Sequence, residues 1–362
     1  MREAATIERV ETSAYTVPTE EAESDGTLGW DSTTLVLVEA SGGGERGLGY
    51  TYGDVSVGKF VESKLGGVVE GADAMSPPAA WAAMQRAIRN AGRPGVGAMA
   101  VSAVDIALWD LKARLLGIPL AAALPRFHDA APVYGSGGFT SYPLERLRGQ
   151  LGGWAEEGIP RVKMKVGREP EMDPERIEAA RGAIGDGVEL MVDANGAYTR
   201  KGALYWAERF AEAGITYLEE PVTSEDREGL RLLRDHGPGG LDIAAGEYEW
   251  TLADLAGRSG CVDILQADVT RCGGITNLLR VDGICKARSI PFSAHCAPAV
   301  SAHACCAMET LVHLEYFHDH VRVENLLFDG VLRPYDGCLH PDPSRPGLGI
   351  ELKRSEAGRY AA

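Results

Sequence analysis

The feature that most restricts the fold of this sequence is a repeated alternation of short apolar runs and amphipathic segments from Ala131 onward. Successive runs start about 20 to 30 residues apart, which is the length of one strand, loop and helix unit. The predicted strands are Pro132–Gly135, Arg161–Val166, Glu189–Asp193, Thr216–Glu219, Asp242–Ala245, Asp263–Ala267, Ile290–Ser293 and Val312–Glu315. This alternation favours a closed parallel barrel over an open doubly wound sheet. The run Gly135–Ser136–Gly137–Gly138 also lacks the spacing and the helix start of a dinucleotide-binding loop.

Residues that cap helices stand between the predicted strands. Asp173–Pro174–Glu175 and Thr199 are expected to begin two helices, and Gly214 can end the second. Ser224 and Thr251 are candidate caps of two more helices. The barrel is therefore expected to have helices around it.

Residues 1–125 do not follow this repeat. Thr33–Glu39 predicts a strand, and Val101–Leu116 predicts a helix with one apolar face, which Gly117 ends. We therefore expect an α+β domain over residues 1–125, the barrel over 126–338, and a tail over 339–362 that returns to the first domain. A last strand is possible at Gly349–Leu352.

Composition narrows the class of function. The chain has 362 residues, of which 45% are hydrophobic, and a net charge of −16. Such an acidic protein is not expected to bind nucleic acid or anionic membranes. Met1–Val10 has no apolar core, no stretch could span a bilayer, and the seven cysteines show no CxxC spacing, so a cytoplasmic protein with reduced thiols is predicted. A homo-oligomer is also expected.

Charged side chains stand at the carboxyl ends of the predicted strands, where barrel enzymes build their active sites. Lys163 and Lys165 point to the same side of one strand and need an anionic partner inside a barrel. The next three strands end in Asp193, Glu219 and Glu247. Neighbouring carboxylates repel one another unless a cation holds them, and oxygen ligands select a hard ion such as Mg²⁺. The sequence therefore predicts one magnesium ion among these acids.

A histidine and two further acids follow on the last three strands. Asp268 and His295 end neighbouring strands, so the carboxylate can bind one imidazole nitrogen and leave the other free to move a proton. Glu315 completes the ring on the eighth strand. The other histidines are interpreted as structural.

As an ordered set, these motifs resemble the enolase superfamily and specifically its mandelate racemase subgroup. The resemblance rests on Asp105–Leu111 (DIALWDL), the Lys-x-Lys pair, Asp193 in DAN, Glu219 in EEP, Glu247 in GE, the Asp268–His295 pair and Glu315. It implies an α/β fold, a modified TIM barrel of the (β/α)₇β type with an α+β capping domain. The sixth strand has Asp268 and no lysine, unlike the muconate-cycloisomerase-like subgroup.

The resemblance also implies roles in metal binding, in acid–base chemistry and in binding the substrate carboxylate. The implied metal ligands are Asp193, Glu219 and Glu247. The implied acid/base residues are Lys165 and His295, the latter oriented by Asp268. The implied contacts of the substrate carboxylate are Lys163 and Glu315. The positive charge of Mg²⁺ and Lys163 would stabilise an enediolate and lower the pKa of Lys165. Glu315, close to other acids, is expected to stay protonated.

The expected reaction is dehydration of an acid sugar to a 2-keto-3-deoxy product, because most members of the subgroup that the sequence resembles are acid-sugar dehydratases. The partner would then be a small-molecule carboxylate. Racemisation or epimerisation of a 2-hydroxy acid and cycloisomerisation of an anhydro-sugar acid are alternatives. A barrel that serves only as a binding protein is disfavoured, because all metal ligands and both bases are present.

The substrate pocket is predicted from composition alone. Thr16–Gly29 is interpreted as a mobile loop that covers the barrel mouth. Its acids, which could accept hydrogen bonds from substrate hydroxyls, are Glu20, Glu21, Glu23 and Asp25. The other candidate pocket residues are Asn195, Tyr50, Tyr52, Phe139 and Phe292.

Overall fold

An antiparallel sheet and a group of helices form the first part of the computed structural model, which describes residues 5–362. The first four residues, part of the predicted capping domain and of the segment interpreted as lacking a signal peptide, lie outside the described residues. The strands are β1 Arg9–Ser24, β2 Gly29–Gly42 and β3 Glu45–Tyr52, in that order across the sheet. The helices are α1 Ser56–Phe60, a π-helical turn Val61–Leu65, α2 Gly66–Val69, α3 Pro77–Ala87, α4 Val96–Leu116 and α5 Leu120–Ala123.

Eight parallel strands then form a closed barrel, which confirms the predicted fold class. The strands β4 to β11 are Ala131–Gly137, Arg161–Lys165, Glu189–Asp193, Tyr217–Glu219, Asp242–Ala245, Ile264–Ala267, Phe292–Ala294 and Leu311–Phe317. Each pairs with its neighbour in chain order, and β11 pairs with β4 to close the ring. The predicted strands lie within two residues of these bounds.

Helices follow the barrel strands in turn. From α6 to α13 they are Leu144–Glu156, Asp173–Ile184, Arg200–Glu212, Arg227–His236, Leu252–Arg258, Gly274–Arg288, Pro298–Cys305 and His318–Leu327. A short 3₁₀ helix, Pro170–Met172, precedes α7. The last helix, α13, follows the eighth strand directly.

Two of the four expected helix caps are present. Thr199 caps α8, and Thr251 caps α10 in a reciprocal capping box. Asp173 is instead the first residue of α7, and its carboxylate accepts from the Gly167 amide of the preceding loop. The prediction for Ser224 is wrong, because Asp226, nearer to α9, accepts the hydrogen bond from the first turn.

The N-terminal domain holds the loop that follows β9. Asp105 of α4 accepts hydrogen bonds from the backbone and the hydroxyl of Thr276. Trp81 donates to the Gly273 carbonyl at 2.7 Å, and Thr51 donates to a carbonyl of the same loop. Because this loop begins at Asp268, contacts from outside the barrel help to fix one residue of the candidate site.

The tail completes the structure with short elements. They are β12 Phe328–Asp329, β13 Cys338–Leu339, β14 Glu351–Leu352, α14 Arg354–Ala357 and a 3₁₀ helix Gly358–Tyr360. Strand β13 pairs with the start of β4, whereas Arg354 forms an ion pair with Glu39 of β2. The domain boundaries themselves stay a prediction.

Six of the seven cysteines are buried free thiols, and Cys338 is half-buried. Among residues 5–362, no helix combines the length and the apolar character needed to cross a membrane.

Candidate active site

The carboxyl ends of β5, β6 and β7 place three charged side chains side by side. Lys165 pairs in register with Asp193, and Asp193 pairs with Glu219. Glu247 lies just beyond β8, after a sharp turn at Gly246, where a side chain would meet backbone at 2.0 Å. The three carboxylates are buried. Strand register therefore brings together the acids that the sequence analysis assigned to a metal.

Two lysines lie among these acids. The Lys165 Nζ is 2.5 Å from the Asp193 Oδ2, and the Lys163 Nζ is 2.5 Å from the Glu219 Oε2 and 2.9 Å from the Glu315 Oε1. Burial alone would lower the pKa of Lys165, but the Asp193 carboxylate raises it above its ordinary value. The expected lowering of this pKa by Mg²⁺ and Lys163 stays a prediction for the metal-bound site, since in the arrangement described the adjacent carboxylate favours the ammonium form.

His295 lies between two carboxylates. Ala267 and Ala294 pair in register, so the residues that follow them, Asp268 and His295, stand side by side. The His295 Nδ1 is 2.8 Å from the Asp268 Oδ2, and its Nε2 is 2.6 Å from the Glu247 Oε2. Burial alone would lower the pKa of His295, but the surrounding carboxylates raise it well above its ordinary value. The imidazole is thus held at both nitrogens.

Glu315 reaches the same space from β11. Ser136 donates to its Oε1 at 2.6 Å, and the Cys296 thiol donates to its Oε2 at 3.2 Å. Burial would raise the pKa of Glu315, but Lys163 and His295 hold it well below its usual range. The expectation that Glu315 stays protonated beside a bound anion stays a prediction, since in the arrangement described two basic groups favour its carboxylate form.

Aromatic side chains form the floor beneath these charges. Tyr134 and Tyr217 are buried inside the barrel, and the Lys163 Nζ lies 5.0 Å from the centre of the Tyr134 ring. The Tyr217 hydroxyl lies 3.3 Å from the Glu219 Oε2 and accepts from Gln266. This floor closes the barrel, so the charged groups can be reached only from the mouth.

The oxygen atoms of the three strand-end acids fit a hard cation. Among residues 5–362, the buried atoms without a hydrogen-bond partner include the Glu219 Oε1 and the Asn195 Oδ1. Burial and the nearby Asp193 raise the pKa of Glu219 to about 7. Buried oxygens that lack donors and repel one another are stabilised by a metal ion.

A second group of possible ligand atoms lies close by. Atoms of His295, Cys296 and Glu315 all lie within 4.8 Å of one another. A thiol and an imidazole suit softer ions than magnesium. The three strand-end acids instead offer only oxygen donors, which suit a hard cation.

A cavity of about 430 Å³ opens over these groups, between the barrel and the N-terminal domain. The side that we call the barrel wall consists of Lys165, Asn195, Glu247, Tyr248, Arg271, His295, Cys296, Glu315, Phe317, Asp319 and His320. The side that we call the N-terminal wall consists of Asp25, Leu28, Trp30, Ser32, Thr33, Thr34, Tyr52, Gly53 and Asp54. Lys163 does not line this cavity, because it is fully buried under the acids.

The turn between β1 and β2 lies directly on the barrel. At Gly26 a Cβ would meet the Ala194 carbonyl at 2.3 Å and the Val166 carbonyl at 2.8 Å, so only glycine permits this approach. Thr27 donates to the Asn195 carbonyl at 3.3 Å. The N-terminal wall is thereby fixed against the loops that follow β5 and β6.

The prediction that Thr16–Gly29 is a loop is wrong for most of its length. Strand β1 continues to Ser24, with an irregularity between Pro18 and Glu23, because β2 satisfies its backbone hydrogen bonds. Only the short turn that ends at Gly29 is left between the strands.

Of the four acids in this segment, only Asp25 lines the cavity. Glu20 and Glu21 form ion pairs with an arginine of α6 and point away from the cavity. Glu23 is buried and accepts from the Trp30 indole. The expectation that Glu20 faces a substrate is therefore corrected.

Three of the expected aromatic pocket residues lie in the core instead. Tyr50 is fully buried and donates to Glu324 of α13. Phe139 packs edge-on against Phe317, and Phe292 of β10 is fully buried. Aromatic residues are common both in pockets and in cores, so composition alone could not separate the two.

Several cavity residues were missed in the sequence, among them Arg271, Tyr248, Cys296 and Trp30. Arg271, Tyr248 and Cys296 each follow a strand-end acid or histidine by one to three positions, so their positions were a usable signal. Trp30 comes from a strand of another domain, and nothing local indicated its position.

The two halves of the chain match two models of one family. Residues 9–124 match the N-terminal domain of mandelate racemase / muconate lactonizing enzyme, and residues 146–357 match the enolase C-terminal domain-like family. The chain belongs to the enolase superfamily, in its mandelate racemase subgroup. The motif-based resemblance is thus confirmed.

Members of this subgroup that the chain is similar to include an isomerase and a lyase. A 3,6-anhydro-alpha-L-galactonate cycloisomerase from Streptomyces coelicolor is 33% identical over 98% of this chain and 99% of its own length. The crystal structure of L-talarate dehydratase from Polaromonas sp. JS666, complexed with Mg and L-glucarate, is 28% identical with a TM-score of 0.88 and covers 99% of this chain and 98% of that one.

A third relative is much closer in sequence. A mandelate racemase/muconate lactonizing enzyme-like protein from Rubrobacter xylanophilus is 80% identical, with a TM-score of 0.98, and covers 99% of this chain and 100% of that one. The protein therefore has the same overall architecture as this solved relative.

Proposed function

We propose that this protein is a magnesium-dependent acid-sugar dehydratase. It removes the proton α to the substrate carboxylate, expels the hydroxyl from the adjacent carbon as water, and yields a 2-keto-3-deoxy acid. The observation that supports this most is the placement of Lys165 and His295 around one cavity. Lys165 ends β5 and His295 follows β10, so β4 and β11 lie between them on one side of the ring and β6 to β9 on the other. The proposed metal ligands come from β6, β7 and the residues just after β8.

Asp193, Glu219 and Glu247 are the residues that would hold one Mg²⁺ per subunit. When bound, the ion supplies positive charge that stabilises the second negative charge of the enediolate. The oxygen-only donor set and the buried oxygen atoms without partners support this assignment. The dehydratase from Polaromonas, solved with magnesium, supports it from outside the chain.

Lys165 is proposed as one base. Its ammonium form is favoured by Asp193 at 2.5 Å, so Lys165 can accept a proton only where the charge of that carboxylate is engaged elsewhere. Lys163, fully buried between Glu219 and Glu315, offsets the charge of the acids from below. Glu315 lines the cavity and is the proposed contact of the substrate carboxylate region.

His295 is proposed as the second acid/base. Asp268 accepts from its Nδ1 and fixes the ring orientation, which leaves Nε2 toward the cavity. In the dehydration, one base takes the proton from C2, and the electrons of the enediolate form the C2–C3 double bond as the C3–O bond breaks. The other residue protonates the leaving oxygen to give water, and the enol then takes a proton at C3 to become the ketone.

Cycloisomerisation of an anhydro-sugar acid is the second candidate, because the full-length relative from Streptomyces coelicolor has that activity. A 3,6-anhydro acid has an ether oxygen on its β-carbon. The same enediolate can expel this oxygen, which stays attached at C6, so no water is released. The two candidates therefore share the first step and differ in the leaving group.

Hydrogen exchange at C2 in D₂O tests the shared step, and screening sugar acids and anhydro-sugar acids for 2-keto-3-deoxy products tests the outcome. Lys165→Ala and His295→Asn should each remove one function, with exchange lost in one variant and kept in the other. The matched controls are Lys201→Ala and His236→Asn, which change exposed helix residues. Wild-type exchange and turnover in both active-site variants would refute the assignment of the bases.

A further inference from the structure

The N-terminal wall presents hydroxyls and carboxylates but no basic group among the described residues that form it. Its polar side chains are those of Asp25, Ser32, Thr33, Thr34, Tyr52 and Asp54. The hydrogen bonds that stabilise the turn after Asp25 all end at its Oδ1, which leaves the Oδ2 outside the turn. Asp54 stands at the exposed rim.

The basic groups of the barrel wall are already paired with acids. Lys165 contacts Asp193, as described above. The Arg271 Nε is 3.5 Å from the Asp268 Oδ2, and its Nη1 is 3.9 Å from the Glu247 Oε1. His295 lies between the same two carboxylates. All three cations therefore lie among the acids of the barrel wall, where the reacting carboxylate is proposed to bind, and not on the N-terminal wall.

The remaining charged or titratable side chains of the barrel wall give no free cation either. Asp319 pairs with Arg322 at 2.6 Å and accepts from the Thr33 hydroxyl. The His320 ring is stacked on Tyr52 with centroids 3.4 Å apart, and burial lowers its pKa to about 3, so the ring is neutral. Both residues therefore extend the uncharged or acidic character of the N-terminal wall.

The proposed function, on which this inference rests, fixes the reacting carboxylate next to Lys165 and His295. The rest of the carbon chain must then extend toward the N-terminal wall. A second carboxylate at its far end would approach Asp25 and Asp54 without a partner cation, which is unfavourable. Hydroxyl groups at the same place can both donate to these carboxylates and accept from the neighbouring hydroxyls.

We infer that the substrate is a monocarboxylic sugar acid with neutral oxygens at its far end, and that the N-terminal wall discriminates against sugar diacids. An aldonic acid or its anhydro form fits this description, whereas an aldaric acid does not. Asp25, Asp54 and Ser32 are the residues proposed to set this preference.

The test compares aldonates with aldarates of the same configuration, using the holoenzyme with Mg²⁺. The wild type should favour the monoacid by roughly 100-fold in kcat/KM. Ser32→Arg places a cation on the N-terminal wall and should reduce this ratio at least ~10-fold, through a lower KM for the diacid. Ser32→Gln, a long side chain without charge, is the matched control and should affect both acids alike.

Exchange of the C2 hydrogen in D₂O, followed for every acid, distinguishes a failure of this inference from a failure of the proposed function. Exchange with a preference for the monoacid supports the inference. Exchange with equal or better turnover of the diacid, or an unchanged ratio in Ser32→Arg, overturns the inference and leaves the proposed function standing. No exchange with any acid of either set refutes the proposed function and this inference with it.

Discussion

The barrel wall and the N-terminal wall of the cavity differ in how their polar groups are held. On the barrel wall, charged groups come from five strands or the residues that follow them, are mostly buried, and contact other charged groups directly. On the N-terminal wall, most polar groups are neutral hydroxyls, and Ser32 and Asp54 are exposed. The difference teaches that the two domains divide the work. On the proposed function, the barrel would set the chemical step and the N-terminal domain would contact the variable part of the substrate.

The largest expected effect comes from removing one of the charges buried beneath the barrel wall. Glu219→Gln should lower kcat by ~100-fold or more, because preorganised charge at the reacting group is the main source of rate. The stabilisation of the fold by Mg²⁺, seen as a rise in melting temperature, should be lost in the same variant. Steady-state kinetics and thermal melts with Mg²⁺ or EDTA measure both effects.

The matched control for this variant is Glu189→Gln, at the opposite end of β6. Glu189 pairs with Arg161 on the surface of the barrel bottom, so the same substitution should leave kcat unchanged. Equal loss of activity in both variants would show that the carboxyl ends of the strands matter no more for activity than the amino ends. Full activity of Glu219→Gln after chelation would show that Glu219 does not bind a metal that the reaction needs.

A smaller effect is expected where the two walls meet. Gly26→Ala would force the turn between β1 and β2 away from the Ala194 and Val166 carbonyls. The N-terminal wall would then shift relative to the bases, and KM should rise roughly 10-fold with a smaller change in kcat. Kinetics with the best substrate measure this. If KM and kcat are both unchanged, the turn does not position the substrate.

Gly67→Ala is the control for that substitution. Gly67 is an exposed residue of α2, and nothing lies within 4 Å of the position that a Cβ would take. Alanine there should leave the kinetics unchanged and stabilise the helix slightly, by ~0.5–1 kcal/mol. The pair thus separates the close approach of Gly26 from the general cost of replacing a glycine.

The barrel wall could be predicted from the sequence because its residues obey local rules. Strand alternation and the strand–helix repeat place Lys165, Asp193 and Glu219 at one end, and their register in the structure is that expected of neighbouring parallel strands. The position of His295 next to Asp268 followed in the same way. What these rules could not give was the state of each charge. The pKa of Lys165 depends on a 2.5 Å contact that no sequence pattern specifies.

The N-terminal wall could not be predicted in the same way. Its residues reach the cavity because β1 and β2 extend across a domain boundary and dock through the turn at Gly26. This docking depends on contacts between residues more than a hundred positions apart, such as that of Ser24 with Thr140. The acidic composition of Thr16–Gly29 predicted a loop facing the substrate, whereas Glu20 is exposed and forms an ion pair with Arg146 of α6.

The smallest expected effect concerns the buried contacts behind the N-terminal wall. Glu324 of α13 accepts hydrogen bonds from Tyr50, Tyr52 and the Ala299 amide, and burial raises its pKa from an ordinary 4.5 to about 8. Between these two pH values the folded protein keeps a proton that the unfolded chain has lost. The free energy of unfolding should therefore fall as the pH rises through this window, by up to about 1.4 kcal/mol per pH unit for one group.

Glu324→Gln removes this titration and should flatten the pH dependence of stability by that amount, while kcat stays nearly unchanged because Glu324 does not line the cavity. Denaturant unfolding of the wild type and the variant at several pH values between 5 and 8 measures the difference. Other buried acids, such as Asp105, titrate in both proteins, so only the difference between the two curves reports on Glu324. Glu356→Gln, at an exposed position, should run parallel to the wild type. If Glu324→Gln also runs parallel, Glu324 has the same charge in the folded and unfolded states, and the contacts behind the N-terminal wall are ionic, as on the barrel wall. If the stability of the wild type falls relative to that of Glu324→Gln as the pH rises toward 8, those contacts are neutral below that pH, and the difference between the two walls extends into the protein core.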